Sequence, residues 1–189
     1  IVNIGIRLNP NTDAKTLKQI STGKKENKFG VDQKIFFELV KYLNKSKNIN
    51  LKCLSVHIGS QILDHRPYEK MLIVVDKIIK KSNHNFEFID LGGGMGISYE
   101  KNSKKLNYQK YSKAIKKFIK NHESRIIFEP GRSIVGNIGS LITKVIYIKE
   151  NDKKDFIILD AAMNDLMRPA LYGANHRTLP VIKTNQTSK

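Results

Sequence analysis

The feature that most constrains this chain is a repeated alternation of apolar, strand-like runs with amphipathic, helix-like segments. Residues 1–9 have strand character and stop at the turn chemistry of Asn9-Pro10-Asn11-Thr12-Asp13. A polar loop comes next, with Ser21-Thr22-Gly23 and Lys28-Phe29-Gly30. Residues 32–45 then place Ile35, Phe36, Leu39, Val40 and Leu43 on one helical face, with Asp32 positioned to cap its start. A strand over 51–58 leads to a helix over 67–81, where Pro67 suits the first turn. A strand over 86–91 leads to a helix over 108–121, and a last apolar run begins at Ile126. The spacing between units is roughly 35 to 40 residues, long enough for strand, crossover helix and return. Parallel neighbours need such crossovers, so the pattern predicts a parallel α/β fold. Both an eight-unit barrel and a doubly wound sheet satisfy it.

The residues just past each strand are more informative than the strands themselves. The run at 51–58 ends in His57-Ile58-Gly59-Ser60-Gln61. The run at 86–91 ends in Gly92-Gly93-Gly94-Met95-Gly96, and the run at 126–128 ends in Glu129-Pro130-Gly131-Arg132. In a parallel barrel these ends share one side, where active sites are built. After Arg132 the pattern changes. Strand-like runs at 141–149 and 155–159 are separated only by residues 150–154, which is hairpin spacing. The expected organisation is therefore one α/β domain over residues 1–135 and the start of a β-rich domain over 136–189. The polar tail after His176 is expected to be poorly ordered.

Composition excludes several classes. A formal net charge of +17 invites a nucleic-acid reading. The lysines, however, lie along helix-like segments such as 76–81 and 113–120, as solvated faces do, and the aromatics sit mostly among apolar residues. No nucleic-acid partner is expected. No run of about 18 uninterrupted apolar residues exists, so no membrane span is expected. Cys53 is the single cysteine and is expected to be a small core residue; no intrachain disulfide can form, and a cytoplasmic setting is the default. With no initiator Met and a strand already under way at Ile1, the chain reads as an internal fragment.

The glycine run is a phosphate-cradle candidate, because glycines let backbone N–H groups approach an anion. It is neither GxGxxG nor a Walker loop, and it equally suits a tight structural turn. His57 can be a general base, a metal ligand or an aromatic platform. No second His or Cys lies at ligand spacing, so no metal is expected. Ser60 can donate to a phosphate or start a turn. Glu129 can pair with a ring nitrogen. Together these suit a small phosphorylated heteroaromatic cofactor better than a dinucleotide.

The motifs at 57–62, 90–97 and 129–132, together with Asp160-Ala161-Ala162-Met163-Asn164-Asp165-Leu166-Met167-Arg168-Pro169-Ala170-Leu171-Tyr172, resemble the diaminopimelate decarboxylase family. These are pyridoxal-phosphate enzymes of the alanine-racemase-like barrel group, and the loop from Ser21 to Gly30 is similar as well. The first three motifs are shared with ornithine and arginine decarboxylases; the stretch through Arg168 and Tyr172 points to diaminopimelate. The resemblance implies the C-terminal half of a pyridoxal-phosphate-binding (β/α)8 barrel, followed by the start of a β domain. It implies that His57 stacks on the pyridine ring, that Ser60, Gly94, Pro130, Gly131 and Arg132 belong to the cofactor site, and that Glu129 pairs with the ring nitrogen. Arg132, Arg168 and Tyr172 would bind substrate carboxylates, for which the planar, permanently charged guanidinium is suited.

The implied reaction is decarboxylation of meso-2,6-diaminopimelate to L-lysine in a cytoplasmic homodimer. Alternatives are a group member acting on ornithine, arginine or a carboxylated polyamine, or a non-catalytic relative that binds cofactor. The family's Schiff-base Lys and its proton-donating Cys match no residue of this sequence. The chain alone is therefore expected to be inactive and, with open sheet edges, poorly stable.

Overall fold

The structure is a computed structural model, and it describes residues 1–16, 20–99 and 104–182. Four strands and three helices alternate from the N-terminus: β1 (Val2–Arg7), α1 (Gln33–Leu43), β2 (Ile49–Ser55), α2 (Arg66–Ser82), β3 (Phe88–Asp90), α3 (Tyr108–Ile119) and β4 (Arg125–Ile127). All neighbouring pairs are parallel, and the order is β1-β2-β3-β4. The order advances without reversal, as in a barrel; a doubly wound sheet reverses at a switch point.

Local chemistry explains the helix boundaries. Asp32 caps α1, its carboxylate accepting from the Ile35 N–H at 2.9 Å. Pro67 sits in the first turn of α2, and Asn83 closes that helix in the left-handed region. Asn107 caps α3 by accepting from the Lys110 N–H. Each helix buries one stripe: Phe36, Val40 and Leu43; Tyr68, Met71, Leu72, Val75 and Ile78; Tyr111, Ile115 and Phe118. These stripes cover Leu54, Val56, Ile89 and Leu91 from the sheet in one core. The lysines at 77, 80, 81, 113, 116, 117 and 120 lie exposed, as a solvated face requires.

Three local expectations are corrected, and one element is new. Ile35 is 43% exposed, because the α1 stripe turns through Phe36 and leaves Ile35 at its rim. Cys53 is half-buried, not a core residue; it sits in β2 opposite Gly5, beside a register shift in the β1–β2 ladder. Regular pairing in β3 and β4 covers only three residues each, although the Val56 N–H to Asp90 O and Leu91 N–H to Ile127 O bonds carry the ladder further. A four-residue helix, α4 (Arg132–Val135), comes directly after the last strand-end turn. So short a helix has no periodicity to read.

The chain forms two compact units. The first holds residues 1–97 and 104–138. The second holds Ser98, Tyr99 and the described residues from Gly139 onward. Within the second unit, β5 (Val145–Lys149) and β6 (Phe156–Leu159) form an antiparallel hairpin, as the spacing indicates. Asp160 closes its open end, accepting from the Thr143 hydroxyl at 2.7 Å and the Lys144 N–H at 2.8 Å. A short helix, α5 (Arg168–Tyr172), ends at Gly173 in the left-handed region. Residues 177–182 carry no regular secondary structure, and the remainder of the expected tail lies outside the described residues.

Candidate functional site

The loops after β2, β3 and β4 meet at the C-terminal edge of the parallel sheet and are bonded to one another. The Gly92 N–H donates to Asp90 Oδ1 at 2.8 Å, and the Gly92 carbonyl accepts from the Glu129 N–H at 2.9 Å. The Gly93 N–H donates to His57 Nδ1 at 3.3 Å, and the Gly93 carbonyl accepts from the Tyr68 hydroxyl at 3.0 Å. The Gly94 carbonyl accepts from the Ile62 N–H at 2.9 Å. Residues 57–62, 92–94 and 129 are thus one hydrogen-bonded assembly.

Glycine is required here for approach between loops. A Cβ on Gly93 would lie 2.0 Å from the Glu129 carbonyl oxygen, and one on Gly94 would lie 2.1 Å from the Gly59 carbonyl oxygen. Both neighbours are backbone, so neither can swing aside. Gly94 also has φ +87°, which strains any L side chain. A Cβ on Gly131, by contrast, would meet nothing within 4 Å.

His57 is half-buried, and its backbone carbonyl accepts from the Thr22 hydroxyl at 2.9 Å. Burial, and then the nearby Arg7 cation, push its pKa below the usual 6.5, against a smaller opposing pull from Asp90. The unfolded chain therefore binds this proton more readily, and His57 costs stability as pH falls through 6.5 toward the folded value. An NMR pH titration should place the His57 midpoint below those of solvent-exposed histidines; a midpoint at or above 6.5 contradicts this environment.

Ser60 lies in the next turn, its N–H bonded to the Ile20 carbonyl at 3.0 Å and its hydroxyl accepting from Arg132 Nη2 at 3.2 Å. Glu129 is exposed, Pro130 and Arg132 are half-buried, and Arg132 opens α4. The first unit therefore brings together His57, Ser60, Gly94, Glu129, Pro130, Gly131 and Arg132. Arg168 and Tyr172 belong to the second unit. There α5 begins at Arg168 and holds Arg168 and Tyr172 one turn apart. The Arg168 guanidinium lies 4.9 Å from the centre of the Tyr99 ring, and its Nη1 donates to His176 Nε2 at 3.2 Å.

The sequence alone assigns no role to Asp90, Tyr68, Tyr99 or His176. Asp90 carries a signal, since a carboxylate closing an apolar strand just before a glycine run needs a partner. Tyr68 has the spacing of a core residue and gives no separate signal. Among the described residues, no group of three or more His, Cys, Asp or Glu is arranged to hold a metal ion. No helix among them is long and apolar enough to cross a membrane.

The donor set fits a phosphorylated heteroaromatic group. A serine hydroxyl, a guanidinium and the open side of Gly131 suit a phosphate; a half-buried imidazole and an exposed carboxylate suit a flat ring with a basic nitrogen. Comparison with known proteins agrees. Residues 2–136 match the family described as pyridoxal-dependent decarboxylase, pyridoxal binding domain. The chain belongs to this family, whose fold is the (β/α)8 barrel.

Within the family, the similarity is to diaminopimelate decarboxylases. The chain is 42% identical to that of Aquifex aeolicus over 182 residues, covering 94% of this chain and 43% of the relative. It is 45% identical to that of Helicobacter pylori strain J99 over 176 residues, covering 92% and 43%. The crystal structure of the Helicobacter pylori diaminopimelate decarboxylase complexed with L-lysine matches with a TM-score of 0.90 at 42% identity, over 97% of this chain and 47% of that one. The chain thus spans less than half the length of these relatives.

Proposed function

We propose that the intact protein containing this chain decarboxylates meso-2,6-diaminopimelate to L-lysine, the last step of lysine biosynthesis, using pyridoxal 5'-phosphate. The observation that carries this reading is the assembly of three strand-end loops around His57, Gly93 and Glu129, with Ser60 and Arg132 paired beside them. The similarity to diaminopimelate decarboxylases supports the substrate class.

When bound, pyridoxal phosphate supplies an electron sink for the charge left on carbon as carbon dioxide departs. The chain's residues would bind and orient. Ser60, Gly94 and the Gly131–Arg132 backbone hold the phosphate, with Pro130 fixing the turn. The His57 ring supports one face of the pyridine. Glu129 holds a proton on the ring nitrogen and so favours the electron-withdrawing form. Arg132, Arg168 and Tyr172 hold substrate carboxylates. Residues 1–135 belong to the barrel domain and 136–189 open the β domain in this reading, and the intact protein is a cytoplasmic homodimer. The test is release of carbon dioxide and L-lysine from meso-diaminopimelate by the intact protein. Release from ornithine or arginine instead would overturn the substrate assignment.

A further inference from the structure

We propose that Tyr68 is a positioning residue that fixes His57 as the neutral tautomer protonated on Nε2, acting through the clamped Gly92–Gly94 loop. A backbone N–H can only donate, so the Gly93 N–H at 3.3 Å requires a lone pair on His57 Nδ1. The proton of a neutral ring then resides on Nε2. A proton on Nδ1 would set two donors against each other.

The loop needs outside support, because a glycine run does not restrain its own peptides. Four bonds provide it. The peptide joining Gly92 and Gly93 is gripped at its carbonyl by the Glu129 N–H and offers its N–H to His57. Asp90, buried and bonded to the Ser55 hydroxyl at 3.0 Å, anchors the Gly92 N–H. The next peptide is gripped at the Gly93 carbonyl by the Tyr68 hydroxyl. Tyr68 is only 1% exposed, and its ring meets Tyr111 edge-on at 4.8 Å, so the phenol has little freedom. Without that hydroxyl the peptide joining Gly93 and Gly94 loses its side-chain partner. The Gly93 N–H is then held toward the imidazole only through the Glu129 and Asp90 bonds to the residue before it, so its aim loosens.

The consequence rests on the cofactor reading above. A neutral imidazole can lie against a protonated pyridine ring, whereas an imidazolium would repel it. Glu129 and His57 are joined through a single peptide group, so the orientation of the platform is tied to the residue that would serve the ring nitrogen.

The test uses the intact protein labelled with 15N, the His57 signal being assigned by its loss in His57→Gln. At pH 7 wild-type His57 should show the Nε2–H pattern and a scalar coupling between the Gly93 amide nitrogen and Nδ1. In Tyr68→Phe, which keeps the ring, the ratio of Nδ1–H to Nε2–H forms should rise by about fivefold or more. Affinity for pyridoxal phosphate, read by absorbance titration, should fall by a similar factor. A wild-type Nδ1–H or doubly protonated ring, or no coupling, would overturn the proposal even if the variant does not fold. So would a Tyr68→Phe protein with lower melting temperature and an unchanged tautomer. Failure of the wild type to bind pyridoxal phosphate would instead strike the cofactor reading and leave the tautomer measurement standing.

Discussion

Gly94→Ala should reduce the intact protein's affinity for pyridoxal phosphate by about 100-fold or more and destabilise it by about 4 kcal/mol. Two effects combine. The backbone at 94 has φ +87°, and the added Cβ would lie 2.1 Å from the Gly59 carbonyl oxygen. That oxygen belongs to the loop that presents Ser60, so relieving the clash moves a phosphate donor. Gly131→Ala is a control for stability only. Its φ is −88°, outside the left-handed region, and its Cβ would meet nothing within 4 Å, so its melting temperature should change far less than that of Gly94→Ala. Because the open side of Gly131 is assigned to the phosphate, thermal melts and not cofactor titration separate the two variants. Wild-type cofactor affinity in Gly94→Ala would show that the loop interlock does not position the phosphate site.

Glu129→Gln should lower decarboxylation by about 100-fold while leaving the fold intact. The side chain is exposed, and the Glu129 contribution to the loop assembly is its backbone N–H on the Gly92 carbonyl, which glutamine retains. What is lost is the negative charge that would hold a proton on the ring nitrogen. Circular dichroism should be unchanged, and the loss should appear in kcat. Retention of activity within a few-fold would contradict the role given to this carboxylate.

The alternation of strands and helices is legible in the sequence because each amphipathic helix has to cover the same sheet, and that demand leaves a periodic record. Phe36, Val40 and Leu43, and Met71, Val75 and Ile78, carry it. Caps and turns are legible where one residue type does the work, as with Asp32 and Pro67. The strand-end motifs are legible as chemistry because His57, Glu129 and Arg132 interrupt apolar runs that need no polar residue. The linkage between them is not. Gly93 meets the Glu129 carbonyl from 36 residues away in sequence, and nothing local marks the encounter. Tyr68 is hidden for the opposite reason, since a buried aromatic on a helical stripe satisfies the packing pattern whether or not its hydroxyl has a task. Cys53 misleads because it stands in a strand-like run among Leu51, Leu54 and Val56, while the register shift beside Gly5 that leaves it half-buried is set by pairing, not by composition.

The most direct test of the central claim is the substrate profile of the intact protein supplied with pyridoxal 5'-phosphate. Carbon dioxide and L-lysine should form in equal amounts from meso-diaminopimelate, with little or no release from L-ornithine or L-arginine. Binding of the cofactor without release from meso-diaminopimelate, or release from ornithine or arginine alone, would contradict the account.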